Sequence, residues 1–354
     1  MAKPLITTII PTYRRPKLLR RAIMSVLNQT SPHFQICVYD NASGDETAAV
    51  VAEFSKNDPR VKYHCHTENI GAINNFNFGL MKVDTEFFSF LGDDDILLPR
   101  FYQAALAAFD QFQTAAFSAA TTIGMADDGS ISGATLWPSG NYEPPEGLVK
   151  LIDYKLNWTS VLFRQRVIED VGHLDPEVGA PMDLDFLLRI AAHFPFVFTR
   201  TPGAIWLSHK GSSSSNTNSS TIWPGSLKMI QNITEDKRLP RSVRAHAHAV
   251  MTRQLKRDLF WAGSNSIQLK NYADAYRSAE ILETEFGQTA KASLLFIVAW
   301  CCDYLPFMHS LLLKINRLRK MGGWKKRRNL HKQFGPYSIF ISPTGYVGRI
   351  KVED

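Results

Sequence analysis

The chain has 354 residues, of which 45% are hydrophobic and 21% are charged. This composition is typical of one large globular domain or two smaller ones, and it excludes an intrinsically disordered chain. The net charge of +7 indicates an acidic partner, although the placement of the charges matters more than their sum. The four cysteines lack the spacing of a disulfide framework or a zinc site, and the N-terminal apolar run is too short for a signal peptide. We therefore expect a cytoplasmic protein.

Strands and helices alternate over the first 120 residues. The predicted strands are LITTIIPTY, FQICVYD, VKYHCHT and FFSFL, and the helices between them are PKLLRRAIMSVLNQ, DETAAVVAEFSK and NNFNFGLMKV. This alternation predicts βαβ units, and hence a parallel sheet with right-handed crossovers. Sheets of this kind bind ligands at the carboxyl ends of their strands.

Polar side chains follow each of these predicted strands. In chain order they are Thr12, Tyr13 and Arg14, then Asp40, then Asn69, and finally three consecutive acids, Asp93, Asp94 and Asp95. Adjacent carboxylates repel one another, so they are stable together only when they are solvated, hydrogen-bonded or neutralised by a cation. Mg²⁺ or Mn²⁺ would supply such a cation. The alternative is that the acids form a turn and cap a helix that begins near Leu97.

The pattern changes after residue 120. An extended segment LNWTSVLFR precedes two helical segments, RQRVIEDVG and PMDLDFLLRIAAHF, and a strand-like IWLSHKGSSSS. The low-complexity run GSSSSNTNSS indicates a boundary, and residues 224–333 are mostly helical in pattern. We predict a domain over 1–215, with a donor-binding half over about 1–120 and an acceptor half over about 121–215. Residues 216–354 then form a helical C-terminal region.

Several stretches together resemble one enzyme family, glycosyltransferase family 2. They are TTIIPTYRRPKLLRRAIMSVLNQT, FQICVYDNASGDET, ENIGAINNFNFGL, FFSFLGDDDILLP, SVLFRQRVIEDVGHLD, DLDFLLRIA and WLSHKGSSS, and they extend from about residue 4 to 215. The resemblance implies the GT-A fold, an α/β architecture with a mixed, mostly parallel sheet flanked by helices, extended here by the helical C-terminal region. It also implies an inverting transferase that moves a sugar from a nucleotide donor, expected to be a UDP-sugar, to a hydroxyl of a glycan or lipid-linked acceptor.

The resemblance also implies roles for the strand-end residues. Asp40 matches the acid that accepts a hydrogen bond from uracil, and Asp93 matches the acid that faces the ribose. The other donor-binding positions are Pro11, Thr12, Tyr13, Arg14 and Asn69. Asp94 matches the ligand of a divalent cofactor, Mn²⁺ or Mg²⁺, and His209 a metal ligand or phosphate contact. Asp95 is either a further metal ligand or a supporting or helix-capping residue.

The segment DLDFLLR matches the position of the catalytic base in this family. The resemblance implies Asp183 as the base that removes the acceptor's proton, with Asp185 as the second candidate, although Met182 replaces the acid that usually precedes it. The alternative is that both acids merely lie in the first turn of a helix, where the helix dipole favours them. A second departure from the family is Phe76, which stands where an arginine is common.

The C-terminal region contains an apolar stretch from Leu294 to Leu313, interrupted by Asp303, Pro306 and His309. Nine cations and no acid follow between Lys314 and Lys332. Polar interruptions disfavour a spanning helix, and the basic segment predicts attachment to an anionic membrane surface on the cytoplasmic side. Internal packing and oligomerisation are the alternatives. No nucleic-acid motif accompanies the cations, so we expect no nucleic-acid partner.

Two other functions compete with glycosyl transfer. A nucleotidyltransferase also uses acids and Mg²⁺ on a doubly wound sheet, but its first loop should be rich in glycine, and IPTYRRPK has none. A non-catalytic module on the same fold would bind a glycan or nucleotide sugar without turnover.

Overall fold

The structure is a computed structural model that describes residues 3–209, 211–212, 218–321 and 324–341. The chain forms two compact units. The first comprises Met1–Pro176, Phe186–Ser212 and Asn329–Asp354, and the second comprises Glu177–Asp185 and Ser213–Arg328. The domain limits predicted from the sequence stay a prediction.

The strands of the first unit form one ten-stranded sheet. Their bounds are β1 Ile6–Thr12, β2 Phe34–Asp40, β3 Val61–Cys65, β4 Phe87–Phe90, β5 Ile96–Leu97, β6 Phe117–Ala126, β7 Ile131–Ala134, β8 Gly140–Tyr142, β9 Val161–Arg164 and β10 Phe196–Ser208. The strand order is β3-β2-β1-β4-β9-β6-β10-β5, with β7 beside β6 and β8 beside β10.

Helices connect and follow these strands. Their bounds are α1 Pro16–Leu27, α2 Thr47–Ser55, α3 Ala72–Met81, α4 Phe101–Gln111, α5 Glu146–Tyr154, α6 Val167–Val171, α7 Met182–Ala191, α8 Ser219–Thr234, α9 Arg241–Gln268, α10 Tyr272–Thr284, α11 Thr289–Tyr304, α12 Pro306–Met321 and α13 Trp324–Phe334. Short 3₁₀ helices lie at Trp158–Ser160 and Gly335–Ile341.

The first half of the sheet is parallel, as the alternating pattern predicts. Strand β1 pairs in parallel with both β2 and β4, and β2 pairs in parallel with β3. In the second half, β9 runs antiparallel to β4 and β6, while β10 runs parallel to β6. The sheet is therefore mixed, and the carboxyl ends of β1, β2, β3 and β4 lie along one edge.

The segment after the three acids differs from the sequence-based prediction. Ile96 and Leu97 form strand β5, which pairs antiparallel with Ala204 and Ile205 of β10, and the next helix begins only at Phe101. The predicted helix start near Leu97 is therefore wrong, and so is a helix-capping role for Asp95. Both apolar side chains are fully buried, and that burial favours pairing with the sheet over an early helical turn.

Two apolar clusters hold the first unit together. One face of α1, with Leu19, Ile23 and Val26 fully buried, packs in the cluster that contains the inward residues of β1 and β2. The second cluster contains buried residues of β5, β6, β7 and β10 together with Leu330 and Phe334 of α13. Burying a side chain of this size contributes about 1.5–3 kcal/mol, so the described end of α13 contributes to the stability of the sheet.

The second unit is helical, which confirms the predicted character of the C-terminal region. Helices α9, α10 and α11 approach closely at Gly263, where an added Cβ would lie 2.6 Å from Leu295 Cδ2 and 2.8 Å from Ser278 Cβ. Among the described helices, none is long and apolar enough to cross a membrane by itself. Thr289–Tyr304 and Pro306–Lys314 reach that length and hydropathy only as a pair, and they are bent by 119°.

Candidate active site at the carboxyl edge of the sheet

Strand β1 links the two halves of the candidate site. Its last residue, Thr12, lies opposite Asp40 in the parallel register with β2. The Thr12 hydroxyl donates a hydrogen bond of 2.8 Å to Asp93 Oδ2, just beyond the end of β4. The structure therefore brings together three of the residues predicted from the sequence.

Asp40 is buried and held by two neutral donors. Its Oδ1 accepts from the Ser43 backbone N–H at 2.9 Å, and its Oδ2 accepts from the Tyr63 hydroxyl at 2.7 Å. Burial, and then the adjacent Asp40, raise the pKa of the Tyr63 phenol, so Tyr63 stays protonated and donates. The orientation of the Asp40 carboxylate is thus set by the protein itself.

Arg14 adopts a left-handed backbone conformation with φ of 56°. This conformation is costly for a residue with a side chain, and contacts with Ser43 stabilise it. The Arg14 backbone N–H donates to Ser43 Oγ at 2.8 Å, and Nε donates to the Ser43 carbonyl at 3.2 Å. The Arg14 guanidinium also lies over the ring of Tyr13, 5.0 Å from its centroid. The first loop is therefore fixed to the end of β2.

Asn69 lies in the loop after β3 and is joined to the same edge. Its Oδ1 accepts from Asn41 Nδ2 and from the Gly71 backbone N–H, each at 2.9 Å. Asn41 Oδ1 in turn accepts from the Ile70 N–H at 2.8 Å. The Asn69 side chain is exposed beside the end of β2.

Asp93 is buried next to a cation. Its Oδ1 lies 3.1 Å from Arg15 Nη1. Burial raises the pKa of Asp93, and the neighbouring Arg15 guanidinium lowers it. The net result is a pKa raised to about 6. Burial therefore outweighs the ion pair at this carboxylate.

Asp95 points into the sheet instead. Its Oδ1 accepts from the Leu207 N–H at 3.0 Å, and its Oδ2 accepts from the Thr159 hydroxyl at 3.1 Å. Burial, followed by the charge of Asp94, raises the pKa of Asp95 well above its usual range. These contacts connect the acid segment to β10.

Asp94 is partly buried, whereas Asp93 and Asp95 are buried. Its Oδ2 lies 3.1 Å from Arg15 Nη1 and 3.0 Å from His209 Nε2. The Gly211 backbone N–H donates to His209 Nδ1 at 3.2 Å, so Nδ1 is the acceptor and Nε2 carries the proton toward Asp94. Asp94 and His209 are thus adjacent although 115 residues separate them in the sequence.

No group of three or more His, Cys, Asp or Glu residues that could hold a metal ion occurs within the described ranges. The donor set at Asp94 is one carboxylate and one imidazole, a combination that suits Mn²⁺ better than Mg²⁺. A divalent ion on two protein ligands keeps its other positions for phosphate oxygens. The side chains at Asp94 and His209 therefore fit a metal that binds together with a diphosphate.

The two base candidates belong to the second unit, in the first turn of α7. Asp183 is partly buried, and its Oδ1 accepts from the Leu184 N–H at 2.8 Å. Asp185 is fully buried and accepts from Asn232 Nδ2 at 2.9 Å. Of the two, Asp183 is the more accessible.

Three residues of the site escaped the sequence analysis. Arg15, Tyr63 and Thr159 contact Asp94, Asp40 and Asp95, respectively. Arg15 stands beside Arg14, and their order gives no sign of which one turns toward the acids. Tyr63 and Thr159 lie 23 and 64 residues from their partners, so only the fold brings them close.

The structure also explains the departure at Phe76. Its ring lies 5.4 Å from that of Phe90 and 5.1 Å from that of Trp158, between centroids. Phe76 is therefore part of an aromatic cluster below the sheet edge.

Residues 7–172 match the model of the family described as "Glycosyl transferase family 2". The fold and the strand-end acids agree with this match. This match confirms the resemblance to glycosyl transferase family 2 that the sequence motifs predict.

Curated relatives match part of the chain. A GalNAc(5)-diNAcBac-PP-undecaprenol beta-1,3-glucosyltransferase of Campylobacter jejuni is 41% identical over 96 residues, which are 27% of this chain and 31% of the relative. A chondroitin synthase of Escherichia coli is 26% identical over 195 residues, 54% of this chain and 27% of that protein. The match thus spans about a third or less of the length of these relatives.

Solved structures resemble the fold over more of the chain. S. aureus TarS 1-349 in complex with UDP-GlcNAc superimposes with a TM-score of 0.61 at 16% identity, covering 83% of this chain and 90% of that chain. The mannosyltransferase PcManGT of Pyrobaculum calidifontis, in complex with GDP-Man and Mn2+, superimposes with a TM-score of 0.55 at 15% identity. The superposition covers 98% of this chain and 88% of that chain. These likenesses confirm the predicted GT-A fold.

Proposed function

We propose that the protein is an inverting glycosyltransferase that moves a sugar from a nucleoside diphosphate donor, a UDP-sugar, to an acceptor hydroxyl in a single displacement. The observation that carries the proposal is the joint placement of Asp40, Thr12, Asp93 and Asp94 along one edge of parallel strands. Side chains placed in this way offer acceptors for a nucleoside at one end and for a phosphate-bound cation at the other. The match of residues 7–172 to the family 2 model supports the same function.

In this proposal the donor nucleoside lies against the ends of β1, β2 and β3. Asp40 accepts a hydrogen bond from the N–H edge of the base, because a carboxylate retains lone pairs after accepting from Ser43 and Tyr63. The proposed nucleoside site is lined by Pro11, Thr12, Tyr13, Arg14 and Asn69. Asp93 accepts from the ribose hydroxyls. The TarS complexes with UDP-GlcNAc and UDP support the assignment of the nucleotide.

Asp94 and His209 would hold the divalent metal, with Asp95 as their support. When bound, the ion neutralises the negative charge that develops on the diphosphate leaving group. Asp95 fixes the segment that carries Asp94, because its own oxygens accept from Thr159 and Leu207. Before the metal binds, the contact of His209 Nδ1 with the Gly211 N–H keeps the ring beside Asp94.

Asp183 is proposed as the general base. It takes the proton of the acceptor hydroxyl while the oxygen attacks the anomeric carbon from the face opposite to the diphosphate. Loss of a positioned base costs roughly 10²–10⁴-fold in rate. Asp185 is fully buried and accepts a hydrogen bond from Asn232. It would instead orient the helix that carries Asp183.

A thermal-shift panel tests the whole proposal. Nucleotide sugars are added with Mn²⁺ or with a chelator, and we expect a UDP-sugar to raise the melting temperature more with the metal than with the chelator, because a ligand stabilises the state that it binds. The Asp183→Asn variant should show the same shift but no transfer. A wild-type protein that no nucleotide sugar stabilises would contradict the proposal, whereas binding without any turnover would favour the non-catalytic module. Release of pyrophosphate from a nucleoside triphosphate would favour the nucleotidyltransferase.

We also propose a lipid-linked or glycan acceptor and attachment to the cytoplasmic face of a membrane. The Campylobacter jejuni relative is a glucosyltransferase named for a PP-undecaprenol-linked glycan, which supports a lipid-linked acceptor. Helices α11 and α12 leave large apolar side chains exposed just before the basic segment. They are Leu294, Phe296, Ile297, Trp300, Tyr304, Leu305, Phe307, Leu311 and Leu313. An apolar face followed by cations suits an anionic bilayer surface.

Sedimentation with vesicles of anionic phospholipid tests this attachment. The double variant Ile297→Glu, Phe307→Glu should remain in the supernatant, and the control Met81→Glu, Leu136→Glu should sediment as the wild type does. All four positions are exposed, and the control pair lies in the first unit. Equal sedimentation of both variants would contradict the proposal, and a lipid-free dimer that only the first variant loses would indicate self-association.

A further inference from the structure

Arg15 occupies a central place among the acids. It lies between the first loop and α1, and Nη1 is 3.1 Å from both Asp93 Oδ1 and Asp94 Oδ2. Its Nη2 donates to the carbonyl of Gly211. One guanidinium therefore contacts two consecutive carboxylates and the residue two positions after His209.

This contact solves an electrostatic problem. Three consecutive acids repel one another, and Asp93 and Asp95 are almost fully buried, where repulsion is screened poorly. A guanidinium Nη carries two N–H donors, so Arg15 Nη1 can donate to both carboxylates. Arg15 thus supplies the positive charge that the segment needs when no other cation is bound.

The same contact conflicts with a bound metal. Asp94 Oδ2 is the atom that faces both Arg15 and His209. A divalent ion held by Asp94 and His209 would take the lone pairs that these contacts use, and it would repel a guanidinium 3.1 Å away. His209 would also have to move its proton from Nε2 to Nδ1, which breaks the contact with the Gly211 N–H.

We infer that Arg15 is the resident cation of the acid segment, and that a divalent ion binds by displacing its guanidinium from Asp94. This inference rests on the metal component of the proposed function. The displaced guanidinium needs a new anion, and a diphosphate matches its fork well. Both contacts that hold Gly211 are given up in the same exchange.

Metal and nucleotide binding are then coupled through Arg15. The metal alone binds weakly because it must leave the guanidinium unpaired, and the diphosphate removes that penalty. Linkage requires that each ligand strengthens the other by the same factor. Arg15 is therefore a positioning residue that makes the site bind Mn²⁺ and nucleoside diphosphate together.

The Arg15→Gln variant tests this role through the Mn²⁺ dissociation constant, measured by the EPR signal of free Mn²⁺ with and without UDP. Without UDP, we expect the variant to bind Mn²⁺ tighter than the wild type by roughly fivefold to tenfold, the low end of ordinary coupling. With UDP, the advantage should disappear. Arg20→Gln is the matched control, because this variant removes the same charge. Arg20 lies on the exposed face of α1 and pairs with Glu53.

Each outcome decides the matter. Unchanged or weaker Mn²⁺ binding by Arg15→Gln overturns the inference, and the proposed function survives if UDP and Mn²⁺ still stabilise the protein together. Failure of every form to bind Mn²⁺ even with UDP overturns both. If Arg15→Gln does not fold, Arg15→Lys serves instead, since an ammonium keeps the charge but lacks the second nitrogen that donates to Gly211, and it should give an intermediate gain of roughly twofold or more. Equal binding by the lysine variant would then overturn the inference.

Discussion

Asp40 and Asp94 follow two strands that flank β1, yet the protein holds them in opposite ways. Asp40 accepts from a backbone N–H and a tyrosine hydroxyl, both neutral and built into the fold. Asp94 instead contacts Arg15 and His209, whose charges or protons can be exchanged for a metal. In the proposed donor complex, the nucleoside end of the site is thus set before the ligand arrives, and the phosphate end is set by a cation that the ligand would replace.

The replacement of Asp94 by Asn should have the largest effect. It removes the charge that attracts both Arg15 and a divalent ion, and we expect the transfer rate to fall by roughly 10²–10³-fold, the usual cost of losing one electrostatic stabiliser. Transfer is measured at saturating UDP-sugar and Mn²⁺. Asp128→Asn is the control, because Asp128 caps a turn at Ser130 on an exposed part of the same unit. A loss of less than tenfold would argue against an electrostatic role for Asp94.

The second prediction concerns pH and the buried neighbour of Asp94. The pKa of Asp93 is raised from 3.8 to about 6, so the folded state holds this proton more tightly than the unfolded state. The resulting stability is complete below the unfolded value and is lost as the pH rises through about 6. The difference amounts to about 3 kcal/mol in the free energy of unfolding.

Denaturant unfolding of metal-free protein measures this effect in the wild type and in Asp93→Asn. The free energy of unfolding of the wild type, relative to the variant, should fall between about pH 4 and about pH 7, because the amide does not titrate. A parallel pH dependence for the two proteins would show that Arg15 compensates the burial of Asp93 fully.

The sequence predicted the strand ends at Thr12 and Asp40 better than the contacts around Asp94. The strand periodicities of β1 to β4 place Thr12, Asp40 and Asp93 correctly, since parallel strands deliver their last residues to one edge. The arginine contact could not be predicted, because Arg14 and Arg15 are neighbours on one short loop and their directions depend on the left-handed backbone at Arg14.

The role of Asp95 could not be predicted, because it depends on contacts with residues far away in the sequence. Its partners Leu207 and Thr159 follow it by 112 and 64 residues, and no local pattern records the antiparallel ladder of β5 with β10. A turn-and-cap motif is locally plausible for DDDILLP, and tertiary burial of Ile96 and Leu97 overrides it. Local sequence therefore predicts the surroundings of a strand-end residue well when the neighbouring strands are close in sequence. It predicts them poorly when the contacting residues come from distant segments.

Gly92 offers a milder way to disturb the phosphate end alone. A Cβ at this position would lie 2.9 Å from Asp94 Oδ1 and 3.1 Å from Asp95 Oδ2, so Gly92→Ala should push the acids apart. We expect the transfer rate to fall roughly tenfold, since a small misplacement of a catalytic group is costly. Gly133→Ala is the control, because an added Cβ there meets nothing within 4 Å. UDP binding without metal should be unchanged in both, and a loss of that binding would place the damage at the nucleoside end.

The smallest effect is expected from Tyr63→Phe, and its sign is the most informative. The variant removes the hydroxyl that donates to Asp40 at 2.7 Å but keeps the ring. Without this donor the Asp40 side chain has to be ordered on binding, which costs about 1 kcal/mol, so calorimetry should show UDP binding weakened about fivefold. Tyr142→Phe is the control, because its hydroxyl donates to the Pro138 carbonyl on the exposed surface.

Loss of a fixed donor should therefore weaken the ligand at Asp40, whereas loss of the exchangeable cation Arg15 should strengthen the metal at Asp94. The reason is that Tyr63 orients Asp40 in the free and the bound state alike, while Arg15 competes with the ligand for the same oxygen. If Tyr63→Phe tightens UDP binding instead, the tyrosine is also a competitor, and both ends of the site work by displacement.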